Sequence, residues 1–139
     1  MALLPSCRRP TRTGSTTVEF AVVGGVFFLV VFAIFELGRG VMVLHQLANA
    51  ARIGCRAAVV EGTSDSAVRQ AVDNNLRAAG ISGAAVTVQV NDAAGSADNA
   101  QSGDEITVAV SVPVSKVTWL PGGRYLQGTL SGQYMLRRE

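Results

Sequence analysis

The sequence predicts an α+β protein: a long N-terminal transmembrane helix continues into a small domain, where a second helix packs on a roughly three-stranded antiparallel sheet. Three observations lead to this. The run FAVVGGVFFLVVFAIF, Phe20 to Phe35, carries no charge or strongly polar side chain. A helical spacing of apolar residues continues from it to Val60 and returns in a second segment, and from Val86 onward the spacing falls to two. At 139 residues the chain suits one domain of ordinary size plus an attachment. Hydrophobic residues at 48% against charged ones at 16% argue against disorder.

The apolar run comes first. Val18 and Leu37 extend it past two acids, Glu19 and Glu36. At about 1.5 Å per helical residue, Val18 to Leu37 covers roughly 30 Å, the thickness of a hydrocarbon core. The head before it holds Arg8, Arg9 and Arg12 and no acid, so the positive-inside rule keeps the head in the cytoplasm and exports the chain beyond Leu37. Arg39, just past the far end, opposes this with a single charge. A basic head before an apolar run also describes a secretory signal peptide. Against that, the run exceeds a usual signal core, and Phe35-Glu36-Leu37-Gly38-Arg39 lacks the small-x-small cleavage pattern. An uncleaved signal anchor fits the hydropathy equally well.

From Val41 to Val60 no proline intervenes. Leu44, Ala48, Ala51, Cys55 and Ala58 recur at steps of three and four as a small apolar face, beside a polar stripe of His45, Asn49, Arg52 and Arg56. Either the small face packs on the chain's own sheet and the arginines are solvated, or the face admits another helix and Arg52 and Arg56 meet acids of another chain. Gly62-Thr63-Ser64-Asp65 ends this helix and caps the next, SAVRQAVDNNLRAAG, whose Val68, Val72 and Leu76 share one face and which Gly80 terminates. Val86, Val88 and Val90, then Ile106, Val108, Val110 and Val112, alternate with small polar residues and predict two strands with one covered face. NDAAGSADNAQSG, Asn91 to Gly103, reads as a mobile hairpin loop tolerant of insertion. Pro113 limits the second strand or marks an edge. A Pro121-Gly122-Gly123 turn precedes a third strand, Tyr125 to Leu136, weakened by Gly128 and Gly132, and Trp119 and Tyr125 on either side of the turn are expected in the core.

Chemistry is sparse. A single histidine, His45, excludes most acid-base and triad layouts, and it stands without the Cys, His or Asp companions of a metal site. No phosphate-binding or dinucleotide-type glycine fingerprint occurs, and Asp104-Glu105 reads as a solvated strand opening. Lys and Arg are scattered without interleaved aromatics, which removes nucleic acid as an expected partner. Neither catalysis nor a cofactor is expected.

Around the start of the apolar run the order is Gly14, Ser15, Thr16, Thr17, Val18, Glu19, Phe20. A short basic head, Gly, four residues, Glu, an aromatic and an apolar helix together resemble the class III leader of type IV pilins and pseudopilins. Beyond the run, Glu36-Leu37-Gly38-Arg39 and then Asn49-Ala50-Ala51-Arg52-Ile53-Gly54-Cys55-Arg56 are similar to the E-x-G-R and N-A-A-R-x-G-A-R of the TadE family, whose members are minor pilins or pseudopilins of the tight-adherence (Flp-type) pilus. The likeness covers about Thr13 to Val60. Two departures stand out: Cys55 replaces the usual Ala, and Gly24-Gly25 interrupts the span at a helix cost of about 1 kcal/mol per Gly relative to Ala.

The resemblance implies a pilin-like architecture and a division of the chain. Residues 1–14 are a cytoplasmic leader cut between Gly14 and Ser15, 15–60 the membrane helix and its extension, and 61–139 the exported domain. Glu19 and Phe20 serve processing and assembly, while Glu36, Gly38, Arg39, Asn49, Arg52, Gly54 and Arg56 form the family motif. Implied partners are a prepilin peptidase, other pilin or pseudopilin subunits, the inner-membrane assembly platform and membrane lipid. The implied location is the bacterial cytoplasmic membrane, single-pass with the N-terminus inside, or the pilus itself. Such a cut removes three of 12 basic side chains and none of the 10 acids, so the formal charge passes from +2 to −1. Cys7 leaves too, and Cys55, alone in the mature chain, is expected as a small buried hydrophobe. The competing reading is an uncleaved, signal-anchored periplasmic binding or adaptor protein.

Overall fold

The computed structural model describes residues 13–119 and 127–139. Helix α1 runs Thr13–Val59, followed by α2 (Asp65–Ala78), β1 (Ala85–Val90), the two-residue β2 (Ala93–Ala94), a 3-10 turn at Ala97–Asn99, β3 (Glu105–Pro113), the four-residue α3 (Val114–Val117) and β4 (Thr129–Arg137). These form two compact units, one ending at Phe35 and the other comprising Glu36–Glu139. The α+β expectation holds, with one strand more than expected.

In the first unit the side chains of the apolar run are exposed. Phe20, Val23, Phe27, Phe28, Leu29, Phe32, Ile34 and Phe35 all stand outward, and α1 is long and apolar enough here to cross a membrane once. A helix apolar on every side needs an apolar surrounding, which water does not supply. Gly24 and Gly25 meet nothing within 4 Å.

The second unit is an antiparallel sheet of order β2-β1-β3-β4 with helices over one face. Register follows the alternation in the sequence: Val86, Val88 and Val90 of β1 stand opposite Val110, Val108 and Ile106 of β3. The buried valines therefore share a face, because residues directly paired across strands point the same way. On β4 the same face carries Leu130, Gly132, Tyr134 and Leu136, opposite Val112, Val110, Val108 and Ile106. Val88, Ile106, Val108, Val110 and Val112 of this face form one core with Val43, Leu47, Ala50, Ala51, Cys55 and Ala58 of α1 and Val68, Val72 and Leu76 of α2, and Val86, Val90, Leu130 and Leu136 pack half-buried against it.

Helix α2 begins and ends where its sequence says. Ser64 Oγ accepts from the Ala67 amide as N-cap. At the other end Gly80 is left-handed (φ +73°), with Ile81 N–H donating to Leu76 O and Gly80 N–H to Arg77 O. That bond pair is a Schellman ending, and Leu76 and Ile81 are buried as its apolar pair.

Four expectations need correction. The inward face of α1 is Val43, Leu47, Ala50, Ala51, Gly54, Cys55 and Ala58; Leu44 and Ala48 are exposed. Steps of three and four fit two neighbouring rows of the helix, and the sheet selects one. Trp119 is 71% exposed rather than in the core. Strand β4 begins at Thr129; the Pro121-Gly122-Gly123 turn and Tyr125 lie outside the described residues. The connection after β1 is structured: Asn91 and Asp92, both at positive φ, make a two-residue hairpin of type I′ into β2, and Ala97 and Ala100 are buried.

That connection is built around Arg138, which is 4% exposed and donates from Nη1 to Ala100 O at 2.6 Å and Ala97 O at 3.2 Å. Asp65 Oδ1 accepts from Ala97 N–H at 2.8 Å, tying the segment to the start of α2. Asp104 accepts from the Gln101 amide and the Asn91 side chain, and these bonds hold its carboxyl below the usual aspartate range.

Gly132 weakens nothing: it is where α1 and the sheet touch through their backbones. A Cβ there would lie 2.5 Å from Ala48 N and 2.7 Å from Leu47 C. Neither neighbour is a side chain that can swing away, so the helix itself must move. Gly132→Ala is expected to destabilise the chain by about 1–3 kcal/mol, read as a lower urea midpoint for the β-sheet signal in detergent. An unchanged midpoint would show that α1 does not press on β4.

Candidate functional site

The motif residues singled out by sequence occupy two stretches of α1, and each is described within its own unit. In the first, the Gly14–Ser15 peptide lies at the start of the described part of α1. Ser15 Oγ donates to Glu19 Oε1 at 3.2 Å, one helical turn on. Phe20 is exposed and Gly14 has open space around it. The arginines of the head, Arg8, Arg9 and Arg12, fall outside the described residues.

In the second stretch, Glu36 and Arg39 are three residues apart and so face the same side of α1. Both grip the short helix α3 and its C-terminal extension. Arg39 Nε donates to Val117 O at 2.6 Å, a carbonyl at the helix end that lacks an intrahelical donor. Glu36 Oε2 accepts the Trp119 amide at 3.4 Å, and the Arg39 guanidinium sits 4.2 Å from the Trp119 ring centroid. A cleft of about 120 Å³ lies here, lined by Glu36, Arg39, Gly40, Val114, Val117 and Leu130 among others. The E-x-G-R stretch thus clamps the start of the folded unit onto α3. Gly38, between the clamp residues, has nothing within 4 Å, and the structure supplies no local reason for a glycine there.

Further along α1, between His45 and Arg56, the polar stripe is solvent-facing. His45, Asn49, Arg52 and Arg56 are all exposed. Arg52 leans over the Tyr134 ring of β4 at 5.6 Å, while Arg56 and Asn49 make no hydrogen bond or ion pair among the described residues. Gly54 is on the opposite side, buried between α2 and β3: an added Cβ would stand 2.8 Å from Val72 Cγ2 and 3.1 Å from Val108 Cγ1. Beside it Cys55 is fully buried, its thiol donating to Tyr134 O at 2.9 Å. Burial pushes this thiol up from its ordinary value, against a smaller opposing effect of the Val108 backbone. Cys55 is therefore a small core residue at neutral pH and not a reactive thiolate.

These groups can hold surfaces together, and nothing in them resembles reaction chemistry. Among the described residues no group of three or more His, Cys, Asp or Glu converges as a metal site. Sequence reasoning locates Glu36, Arg39, Arg52 and Gly54 but not their partners Val117, Trp119, Tyr134, Val72 and Val108, which lie far along the chain. Arg138 escapes it altogether, since a penultimate arginine gives no sign of burial.

Residues 14–56 match the family model TadE, described as TadE-like protein. The match opens at Gly14 and closes at Arg56, spanning both motif stretches. No curated protein and no solved structure matches the chain. The match leaves residues 57–139 uncovered.

Two glycines of the motif separate packing from helix propensity. Gly38→Ala meets open space, so only the helix gain of about 1 kcal/mol applies and stability should rise. Gly54→Ala gains the same term but drives a methyl into two stiff valines, costing about 1–3 kcal/mol, so the net change is destabilising. Urea unfolding of both variants in detergent checks the pair; equal shifts of one sign would contradict the packing around Gly54.

Proposed function

We propose that the chain is a TadE-type pseudopilin or minor pilin that takes part in assembling a tight-adherence pilus, and through it in surface attachment. The family match over residues 14–56, set on a helix with a single apolar span, is the observation that carries this reading. In it a prepilin peptidase cuts after Gly14 on the cytoplasmic side, leaving residues 15–60 as membrane helix and extension and 61–139 as the exported remainder.

Cutting turns Ser15 into a free amine, positively charged or nearly so at neutral pH. Glu19, whose partner in the uncut chain is the neutral Ser15 hydroxyl, then has a cation to meet. A carboxylate and an ammonium that are each costly in hydrocarbon become tolerable as a pair, because the low dielectric strengthens their attraction. When the amine belongs to a neighbouring subunit, the pair forms at one axial stagger and sets register. Arg56, exposed and free of partners among the described residues, and Asn49 offer a second contact to acids of an adjacent subunit. The assembly platform of the inner membrane is where such pairing takes place, with the C-terminal unit on the outer side.

Mass spectrometry of the protein from cells that hold the peptidase should find Ser15 as the first residue. A chain that still begins at Met1 supports the uncleaved, signal-anchored adaptor instead. Glu19→Ala should be inserted and cut normally, yet lower the yield of sheared pili by an order of magnitude or more; normal pilus output would remove the pairing role.

A further inference from the structure

We infer that Trp119 is an interfacial membrane anchor, seated in the phospholipid headgroup layer where the apolar span leaves the bilayer. The inference rests on the reading of Val18 to Leu37 as that span. Trp119 is the only tryptophan of the chain, and its indole is 71% exposed in a unit whose other large apolar side chains mostly form the core. Its height is set by α1: Arg39 stacks 4.2 Å from its ring centroid, and Glu36 holds its amide at 3.4 Å. Arg39 is two residues past Leu37, an axial rise of about 3 Å, so whatever stacks on Arg39 sits at the edge of the hydrocarbon.

The chemistry of this small cluster fits a headgroup layer. An indole pairs an apolar body with one N–H donor, which is why tryptophan collects at membrane interfaces. The indole N–H of Trp119 has no acceptor among the described residues. Arg39 spends Nε on Val117 O, and its remaining guanidinium nitrogens have no acceptor among the described residues, which leaves them for a phosphate oxygen. Glu36 is already engaged with the Trp119 amide, so the acid nearest the phosphates is turned to the protein. Arg39 is thus the positioning residue for Trp119.

The single indole makes the test direct. The full chain is reconstituted in phosphatidylethanolamine–phosphatidylglycerol vesicles, and emission is recorded with nitroxide labels at the lipid headgroup or at the acyl-chain end and with aqueous iodide. The expected result is a blue-shifted emission, quenched more by headgroup labels than by chain-end labels and protected from iodide relative to the detergent-free unfolded chain. Arg39→Gln should restore iodide access while leaving the chain in the vesicles. Resistance to carbonate extraction is measured in parallel: loss of the protein there sinks the span itself. Retention with full iodide access and no lipid quenching overturns the anchor alone, as does an emission that responds only to added copies of the protein.

Discussion

The closeness of α1 to the sheet is the constraint on which the folded unit from Glu36 onward depends. Where Gly132 of β4 passes Leu47 and Ala48, helix and strand meet backbone to backbone, with no room for a methyl. The inward face of α1 must then be narrow, and it is: Ala50, Ala51, Gly54, Cys55 and Ala58 come after Leu47. Larger residues on the facing elements, Val68, Val72, Val108 and Ile106, fill the volume that those small ones leave. Size is traded across the interface, so the core reaches close packing with few large side chains on the helix that crosses it.

The same economy explains Cys55 and Arg138. A thiol is little larger than a methyl and can also donate to Tyr134 O, so it fits a position of small residues without leaving a polar group unsatisfied. At the opposite corner a charged side chain is buried because carbonyls at Ala97 and Ala100 converge on it and accept from its guanidinium. The segment between β1 and β3 is ordered by this arginine and by Asp65, and little of it depends on apolar burial.

One helix carries two kinds of surface, and the change between them occurs within a turn. From Phe20 to Phe35 every direction around α1 is apolar; from Glu36 the helix acquires an inside and an outside. Glu36 and Arg39 stand just past that change, where Trp119 engages both and the end of α3 engages Arg39. The Glu36-to-Arg39 stretch at this position therefore has a structural basis in the clamp.

Local features are legible from residues alone because their causes are local. A run of apolar residues as long as a bilayer is thick, the Ser64 cap and Gly80 ending of α2, and the alternation that registers Val86 on Val110 and Val88 on Val108 all depend on neighbours within a few positions. What the tertiary structure decided involves partners some 80 residues apart. Leu44-Ala48 and Val43-Leu47 satisfy the same helical spacing, and only the approach of Gly132 selects the second; Trp119 looks like a core residue until Arg39 is found beneath its ring and solvent on its other side. Periodicity states that a helix has a covered face, and the sheet it meets determines which one.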